Sequence, residues 1–283
     1  MELRFERACT AAADELAARC SLSLFALDEL CTPCDGTLDG TLDGTLDGTP
    51  YHMNPCNLSA APDGTSHNMR PEPYLRLDAQ GLTLCARGME LRQDFACLLP
   101  RIAPHKLAHE MLIKAARIKG TQSWQVFDAT AGLGEDAFLL AAAGAEVWLC
   151  ERDVIIAELL MDALQRAQQD ERLASICARM HLIQGDSVEQ MSQAEGAARH
   201  VSVIYLDPMF PTRTKSAAVK KKFQLLHELE PPALDEERLL EAALAAQPSK
   251  IVIKRPLKAE YLGGRRASYS IRGKAVRFDV LAL

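Results

Sequence analysis

Short apolar runs, each closed by a polar residue or a turn, set the rhythm of the second half of the chain. Val126 and Phe127 read as the end of a buried strand, and Ala137-Phe-Leu-Leu-Ala-Ala-Ala143 then has helical composition. Glu146-Val-Trp-Leu-Cys150, His181-Leu-Ile-Gln184 and Val203-Ile-Tyr-Leu206 repeat the strand pattern, and Val276 to Leu281 predicts a terminal antiparallel strand. Strands alternating with helical stretches predict an α/β fold with a mostly parallel central sheet.

The front of the chain is patterned differently. Ala8 to Leu30 has helix-forming composition with apolar spacing. Asp35-Gly-Thr-Leu-Asp-Gly-Thr-Leu-Asp-Gly-Thr-Leu-Asp-Gly48 repeats a four-residue unit and reads as a flexible loop. That period matches neither the nonapeptide of calcium β-rolls nor the twelve-residue EF-hand loop. Leu75 to Leu84 reads as a hairpin turning at Gln80-Gly81, and His105 to Lys119 as a helix leading into the first buried strand, with His105 and His109 on one face. Two regions are expected: a small α+β unit over 1–100, with a low-complexity loop at 35–49, and a catalytic domain over 101–283.

Candidate chemistry begins where the first strand ends, at Asp128-Ala-Thr-Ala-Gly-Leu-Gly134. Gly132 and Gly134 permit a tight turn with close backbone approach, which makes strand, glycine turn and helix: a nucleotide cradle. The second strand ends in Glu151, nineteen positions after Gly132, where a ribose-binding carboxylate is expected. Gly132-Leu-Gly-Glu-Asp-Ala137 also fits the dinucleotide fingerprint G-x-G-x-x-A, so this segment alone leaves a nicotinamide or flavin enzyme open. A pyrophosphate, however, would sit on a bare helix N-terminus, and here that turn carries Glu135 and Asp136. Two carboxylates repel a pyrophosphate and accept hydrogen bonds from an ammonium group, such as the amino-acid end of S-adenosylmethionine. Asp186, in the turn after His181 to Gln184, is a candidate acceptor for an adenine amino group.

A second segment, Asp207-Pro-Met-Phe-Pro211, follows Val203 to Leu206 and closely matches the [Asn/Asp]-Pro-Pro-[Tyr/Phe] signature of amino-directed methyltransferases, with Met209 in place of the second proline. The lone pair of an exocyclic amine is delocalised into its ring, so hydrogen-bond acceptors at its protons are needed to aim that pair at a methyl group. Asp207 and the Pro208 carbonyl are candidates, and Phe210 can stack on an extruded base. The chemistry requires no metal.

Composition is that of an ordinary globular enzyme, with 283 residues, 48% hydrophobic and 25% charged. Met1-Glu-Leu-Arg-Phe-Glu-Arg7 lacks the basic start and apolar core of a signal peptide, and no apolar run approaches membrane-spanning length. Nine cysteines without regular spacing fit a reducing cytoplasm, and Cys31, Cys34, His52, Cys56 and His67 match no standard zinc finger. The net charge of −6 is unevenly spread: residues 1–100 carry seven Arg and fifteen acids, whereas nine basic residues from Lys250 onward face only Glu260 and Asp279. With Arg213, Lys215, Lys220, Lys221 and Lys222, those late cations are candidates to meet RNA phosphates.

From about Lys114 to the C-terminus the chain resembles the bacterial J-type family of small-subunit ribosomal RNA guanine-N2 methyltransferases. The resemblance rests on Asp128-Ala-Thr-Ala-Gly-Leu-Gly-x-Asp-Ala-Phe138, Glu151-Arg152, Tyr205-Leu-Asp-Pro-Met-Phe-Pro211, Lys215-Ser-Ala-x-Val-Lys-Lys221, Lys254-Arg-Pro256 and Arg277-Phe-Asp279. It implies a class I, Rossmann-like enzyme that moves a methyl group from S-adenosylmethionine to the N2 amine of a guanosine in 16S ribosomal RNA. Cofactor contacts would fall on Glu135, Asp136, Glu151, Arg152, Asp186, Ser187 and Asp207, and the catalytic set would be Asp207, Pro208 and Phe210. Glu135 stands where the family often has arginine, and Asp186 where it can have a small hydroxyl residue. The implied partner is the 30S subunit, in the cytoplasm, with no membrane, metal or obligate protein partner. The motifs by themselves would equally serve an amino-methyltransferase acting on DNA or protein.

Overall fold

A computed structural model describes residues 1–5, 9–20, 23–26, 73–86, 89–118, 120–121, 124–193, 198, 201–208 and 236–283. The four-residue repeat, Cys31, Cys34, His52, Cys56, His67, Met209, Phe210, Arg213 and the Lys215–Lys222 cations lie outside the described residues. Two compact units are formed, one by residues 1–80 with 85–88 and the other by 81–84 with 89–283.

In the first unit, β1 (Glu2–Phe5), α1 (Thr10–Cys20) and β2 (Ser23–Ala26) make a strand–helix–strand unit, because β1 pairs in parallel with β2. On its other side β1 pairs in parallel with β3 (Tyr74–Asp78). The predicted helix over Ala8 to Leu30 therefore stops at Cys20. Ala13, Leu16 and Ala17 bury one face of α1, whereas Ser-Leu-Phe-Ala has no comparable helical stripe and adds to a sheet instead. β4 (Gly81–Ala86) follows a two-residue turn at Ala79 and Gln80, one position ahead of the predicted turn, and β5 is Met89–Leu91.

The second unit continues through a 3-10 segment (Phe95–Arg101), α2 (Pro104–Leu107) and α3 (Met111–Ala116). The single helix expected over His105 to Lys119 is broken at Ala108 to Glu110, where the Glu110 carboxylate is drawn to Arg101 by two hydrogen bonds of 3.0 and 3.1 Å. His105 and His109 consequently share no helix face, and both are exposed.

The core elements follow as β6 (Trp124–Asp128), α4 (Glu135–Ala142), β7 (Ala145–Glu151), α5 (Val154–Gln168), α6 (Ala174–Cys177), β8 (Met180–Gln184), α7 (Ser187–Ser192), β9 (Val203–Leu206), α8 (Glu236–Ala245), β10 (Lys250–Pro256), β11 (Tyr269–Arg272) and β12 (Val276–Ala282). Seven strands form one sheet in the order β11-β12-β10-β9-β6-β7-β8. β8, β7, β6, β9 and β10 are parallel, and β12 runs antiparallel to both β10 and β11. This confirms the Rossmann-like fold and the terminal antiparallel strand.

Alternation within the strands supplies both faces of the sheet. Val126, Val203, Tyr205, Val252, Phe278 and Val280 join the cluster containing Phe138 and Leu139 of α4, whereas Phe127, Ile204, Leu206, Ile251, Ile253 and Leu281 join Leu239 and Leu240 of α8. Strands covered on both faces have no need of polar positions, which is why Val203 to Leu206 is wholly apolar.

Gly134 enters α4 with φ +73°, in the left-handed region, and a Cβ built on it would lie 2.8 Å from Leu160 Cδ1 and 3.3 Å from Leu149 Cδ2. Gly132, at φ +53°, would meet nothing within 4 Å. Gly134→Ala is therefore expected to cost about 2–3 kcal/mol, combining backbone strain and overpacking, against about 1 kcal/mol for Gly132→Ala. Urea titration of the two variants side by side checks this, and equal losses would contradict it.

Candidate functional site

The strand order reverses at β6, whose two neighbours are β7 and β9, and in open α/β sheets ligands bind beyond the carboxyl ends of the strands at such a switch point. The loop leaving β6 is fastened to both neighbours. Ala129 N donates to Tyr205 O (3.0 Å) and Ala131 N to Cys150 O (3.1 Å). Asp207 N donates to Thr130 Oγ1 (2.7 Å), tying the start of the Asp207-Pro208 turn to the glycine loop.

Glu151 closes the β7 side. Only 4% exposed, it accepts from Gly132 N through Oε2 and from Asp153 N through Oε1, each at 2.8 Å, and its own carbonyl receives Gly185 N at 2.9 Å. One carboxylate thus shapes the glycine turn and the start of the loop after β7. Arg152 beside it is exposed. Asp186 caps α7, its Oδ1 accepting from Val188 N (2.8 Å) and Glu189 N (3.3 Å), and Ser187 begins that helix. Asp186 and Glu151 are brought to neighbouring strand ends through the Gly185–Glu151 bond.

The β9 side holds a cluster that sequence reasoning missed. Lys254, from β10, donates to Asp136 Oδ2 at 2.7 Å and to Asp207 Oδ2 at 2.8 Å, and Tyr205 donates its hydroxyl to the same Asp136 oxygen at 2.7 Å. Asp136, assigned from sequence to the cofactor, and Asp207, assigned to both cofactor and catalysis, are joined by one ammonium group. Glu135, which sequence paired with Asp136, stands half-buried at the first position of α4. Pro208 is buried, and Phe210 lies outside the described residues. The available signal for Lys254 was a lysine directly after the apolar Ile251-Val-Ile253, since a lysine at the end of a buried strand calls for partners.

Four of the nine late cations are committed inside the fold rather than to phosphates. Lys254 holds carboxylates. Arg255 pairs with Glu236 (3.2 Å), Arg277 with Asp279 (2.9 Å), and Lys250 donates to the carbonyls of Ala115 (3.2 Å) and Arg117 (3.1 Å). Lys258, Arg265, Arg266, Arg272 and Lys274 are exposed.

Electrostatics are set by burial. Burial pushes the Asp128 carboxyl up to about 8, opposed by the Thr130 amide (3.1 Å) and assisted by the charges of Asp136 and Asp207. Burial also raises Asp207, with Lys254 pulling the other way, whereas at Asp136 the pull of Lys254 and Tyr205 outweighs burial and lowers it. Lys254 is held firmly protonated: its two carboxylates outweigh its own desolvation.

Asp128 makes stability depend on pH. The folded chain retains a proton up to about pH 8 that the unfolded chain releases near 3.8, so this contribution is complete below about pH 4 and is lost as pH rises toward 8. Asp128→Asn removes the dependence. Its stability relative to the parent chain is expected to rise by about 2 kcal/mol between pH 5 and pH 8.5, a discounted figure at 1.36 kcal/mol per unit. Melting curves across that range decide the matter, and a pH-independent difference would refute it.

The donor set fits one cofactor chemistry. A Cβ at Gly132 would meet nothing within 4 Å, and Glu151, Asp186, Glu135 and Asp136 are carboxylates, a chemistry suited to hydroxyl, amino and ammonium groups. A pyrophosphate would meet carboxylates at the α4 N-terminus. Fold and site together define a class I methyltransferase that uses S-adenosylmethionine.

Comparison with known proteins agrees and narrows the class. Residues 72–282 match the family model described as "Putative SAM-dependent methyltransferase". Ribosomal RNA small subunit methyltransferase J of Thioalkalivibrio sulfidiphilus is 44% identical over 212 residues, 73% of this chain and 83% of the relative. Its namesake in Ectopseudomonas mendocina is 42% identical over 215 residues, 73% of this chain and 81% of the relative. A crystal structure of a SAM-dependent methyltransferase from Neisseria gonorrhoeae superposes with a TM-score of 0.67 at 25% identity, covering 100% of this chain and 96% of that one. The chain belongs to the small-subunit ribosomal RNA methyltransferase J family, and it is an enzyme. Among the described residues no helix is long and apolar enough to cross a membrane, and no three His, Cys, Asp or Glu side chains gather as a metal site.

Proposed function

We propose that the enzyme methylates the exocyclic N2 amine of a guanosine in 16S ribosomal RNA, within the 30S subunit or its precursor. The observation that carries this reading is the placement of Asp207-Pro208 at the switch point, bonded to the glycine loop through Thr130 at 2.7 Å. When bound, S-adenosylmethionine supplies an electrophilic methyl on a sulfonium. Asp207 accepts an N–H of the target amine and the Pro208 carbonyl accepts the other, which localises the nitrogen lone pair toward the methyl. Phe210 stacks on the extruded base. Glu151 and Arg152 face the ribose side, Asp186 and Ser187 the adenine side, and Glu135 and Asp136 the amino-acid end.

The amine needs to lose its proton only as the new bond forms, so Asp207 acts as an orienting acceptor that can also receive that proton. No metal and no obligate protein partner enters this scheme, and it places the enzyme with its ribosomal substrate in the cytoplasm. The family relationship favours ribosomal RNA over DNA or protein amines.

The test is transfer of labelled methyl from S-adenosylmethionine to 30S subunits from a strain lacking the gene, with the product nucleoside identified by mass. N2-methylguanosine is expected. Tight cofactor binding with unlabelled RNA would overturn the ribosomal assignment and redirect the search to DNA and protein amines.

A further inference from the structure

We propose that Lys254 is a positioning residue for methyl transfer: its single ammonium group grips one oxygen of Asp207 and one of Asp136, leaving Asp207 to present its other oxygen to the target amine as an anionic acceptor. This inference rests on the role of Asp207 proposed above, and nothing in the relatives' names assigns a role to this lysine.

The geometry is specific. Lys254 follows three apolar residues on β10, adjacent to β9, and its Nζ reaches carboxylates on two other elements at 2.7 and 2.8 Å. Both bonds go to Oδ2. Among the described residues, Oδ1 of Asp207 and Oδ1 of Asp136 accept no hydrogen bond. With its backbone N–H on Thr130 and one side-chain oxygen on Lys254, Asp207 is fixed at both ends, as an acceptor must be if it is to orient a weak nucleophile.

The charge balance gives the lysine a second task. Facing this cluster are Asp128 from β6, Asp136 from α4 with Arg101 acting on it from farther away, Tyr205 from β9 and Asp207 directly after that strand. Burial already disfavours the charged form of Asp207, and Asp136 repels it; Lys254 is the cation that opposes both. Removing Lys254 takes away the pull that opposes burial and Asp136, which moves Asp207 further toward its protonated form, a hydrogen-bond donor toward an amine that needs acceptors. A lysine that served only to brace the fold would leave the pH dependence of turnover unmoved.

The experiment compares the full chain with Lys254→Met and Lys254→Arg, measuring kcat against pH with 30S substrate. Lys254→Met is expected to lose about 100-fold at pH 7 with its acidic limb displaced upward by more than about one unit, so that the deficit shrinks to roughly tenfold at pH 9. Lys254→Arg keeps the charge and should stay within about tenfold with the limb in place. In an Asp207→Asn background, which cannot titrate, the methionine change should cost less than about threefold. A loss uniform in pH, or an equal loss in that background, would overturn the proposal.

A second measurement needs no lysine variant. Carboxyl carbon NMR of aspartate-labelled parent chain, assigned with Asp207→Asn, should show Asp207 ionised at pH 7. A protonated Asp207 there sinks the proposal whatever the variants do. If the parent chain labels no RNA, the functional reading fails, and the NMR titration still decides the charge state that Lys254 imposes.

Discussion

Asp207→Ala is expected to lower the rate of methyl transfer by about a thousandfold while leaving cofactor affinity within a few-fold. Removing one preorganised hydrogen-bonding group from a reacting centre typically costs 10²–10³ in rate, and Asp207 combines that service with a place for the departing proton. Its loss also frees half of the Lys254 ammonium, which is bonded to Asp207 and Asp136 and is only partly exposed. A partly buried cation left, among the described residues, with Asp136 as its one carboxylate partner adds to the penalty. Asp207→Asn keeps a carbonyl acceptor at the same position but offers no charge to Lys254, so a smaller loss of about a hundredfold is expected. Single-turnover rates on 30S subunits, read beside calorimetric titration of the cofactor, separate chemistry from binding. An alanine variant that turns over near the parent rate would remove Asp207 from the reaction.

Much of this site is local in sequence and was legible there. The glycine turn, Glu151 at the end of the second strand and Asp207-Pro208 after Val203 to Leu206 all declare themselves within a few residues, because strand periodicity and turn chemistry are short-range. What brings them together is not short-range. Lys254 lies 118 residues from Asp136 and 47 from Asp207, and no local pattern pairs a strand-end lysine with two distant carboxylates. Counting Lys254, Arg255, Lys250 and Arg277 as phosphate-facing charge failed for the same reason, since composition cannot tell a solvated cation from one already committed to internal partners. Asp128 was visible as part of a motif, yet its retained proton follows from burial by surrounding elements. At the front end the error was one of length: helix-forming composition ran on past Cys20, but the apolar stripe that anchors a helix did not.

Arg277→Ala should be among the most destabilising single changes available in this chain, at about 3–5 kcal/mol. Arg277 is 5% exposed and Asp279 2%, two residues apart and therefore on the same face of β12. The Arg277 Nε reaches both Asp279 oxygens at 2.9 and 3.0 Å. Its terminal nitrogens cover the carbonyls of Pro256 (3.0 Å), Leu257 (2.8 Å) and Ala259 (2.8 Å). Alanine would leave the buried Asp279 carboxylate with only the Ser270 hydroxyl as donor and strand three carbonyls, where each orphaned group has its own desolvation cost. For a domain of this size the midpoint should fall by roughly 10 °C, and the urea midpoint with it. The clamp holds the chain just after Lys254, so turnover should also fall in the surviving folded fraction. Asp279→Leu combined with Arg277→Met tests whether the cost comes from unpaired charge. The double change should be less damaging than Arg277→Ala, because it removes both ions and leaves three carbonyls and the Ser270 hydroxyl, all neutral groups. If the double variant is as unstable as the single one, the arginine matters for its carbonyl contacts to residues 256–259 rather than for its ion pair.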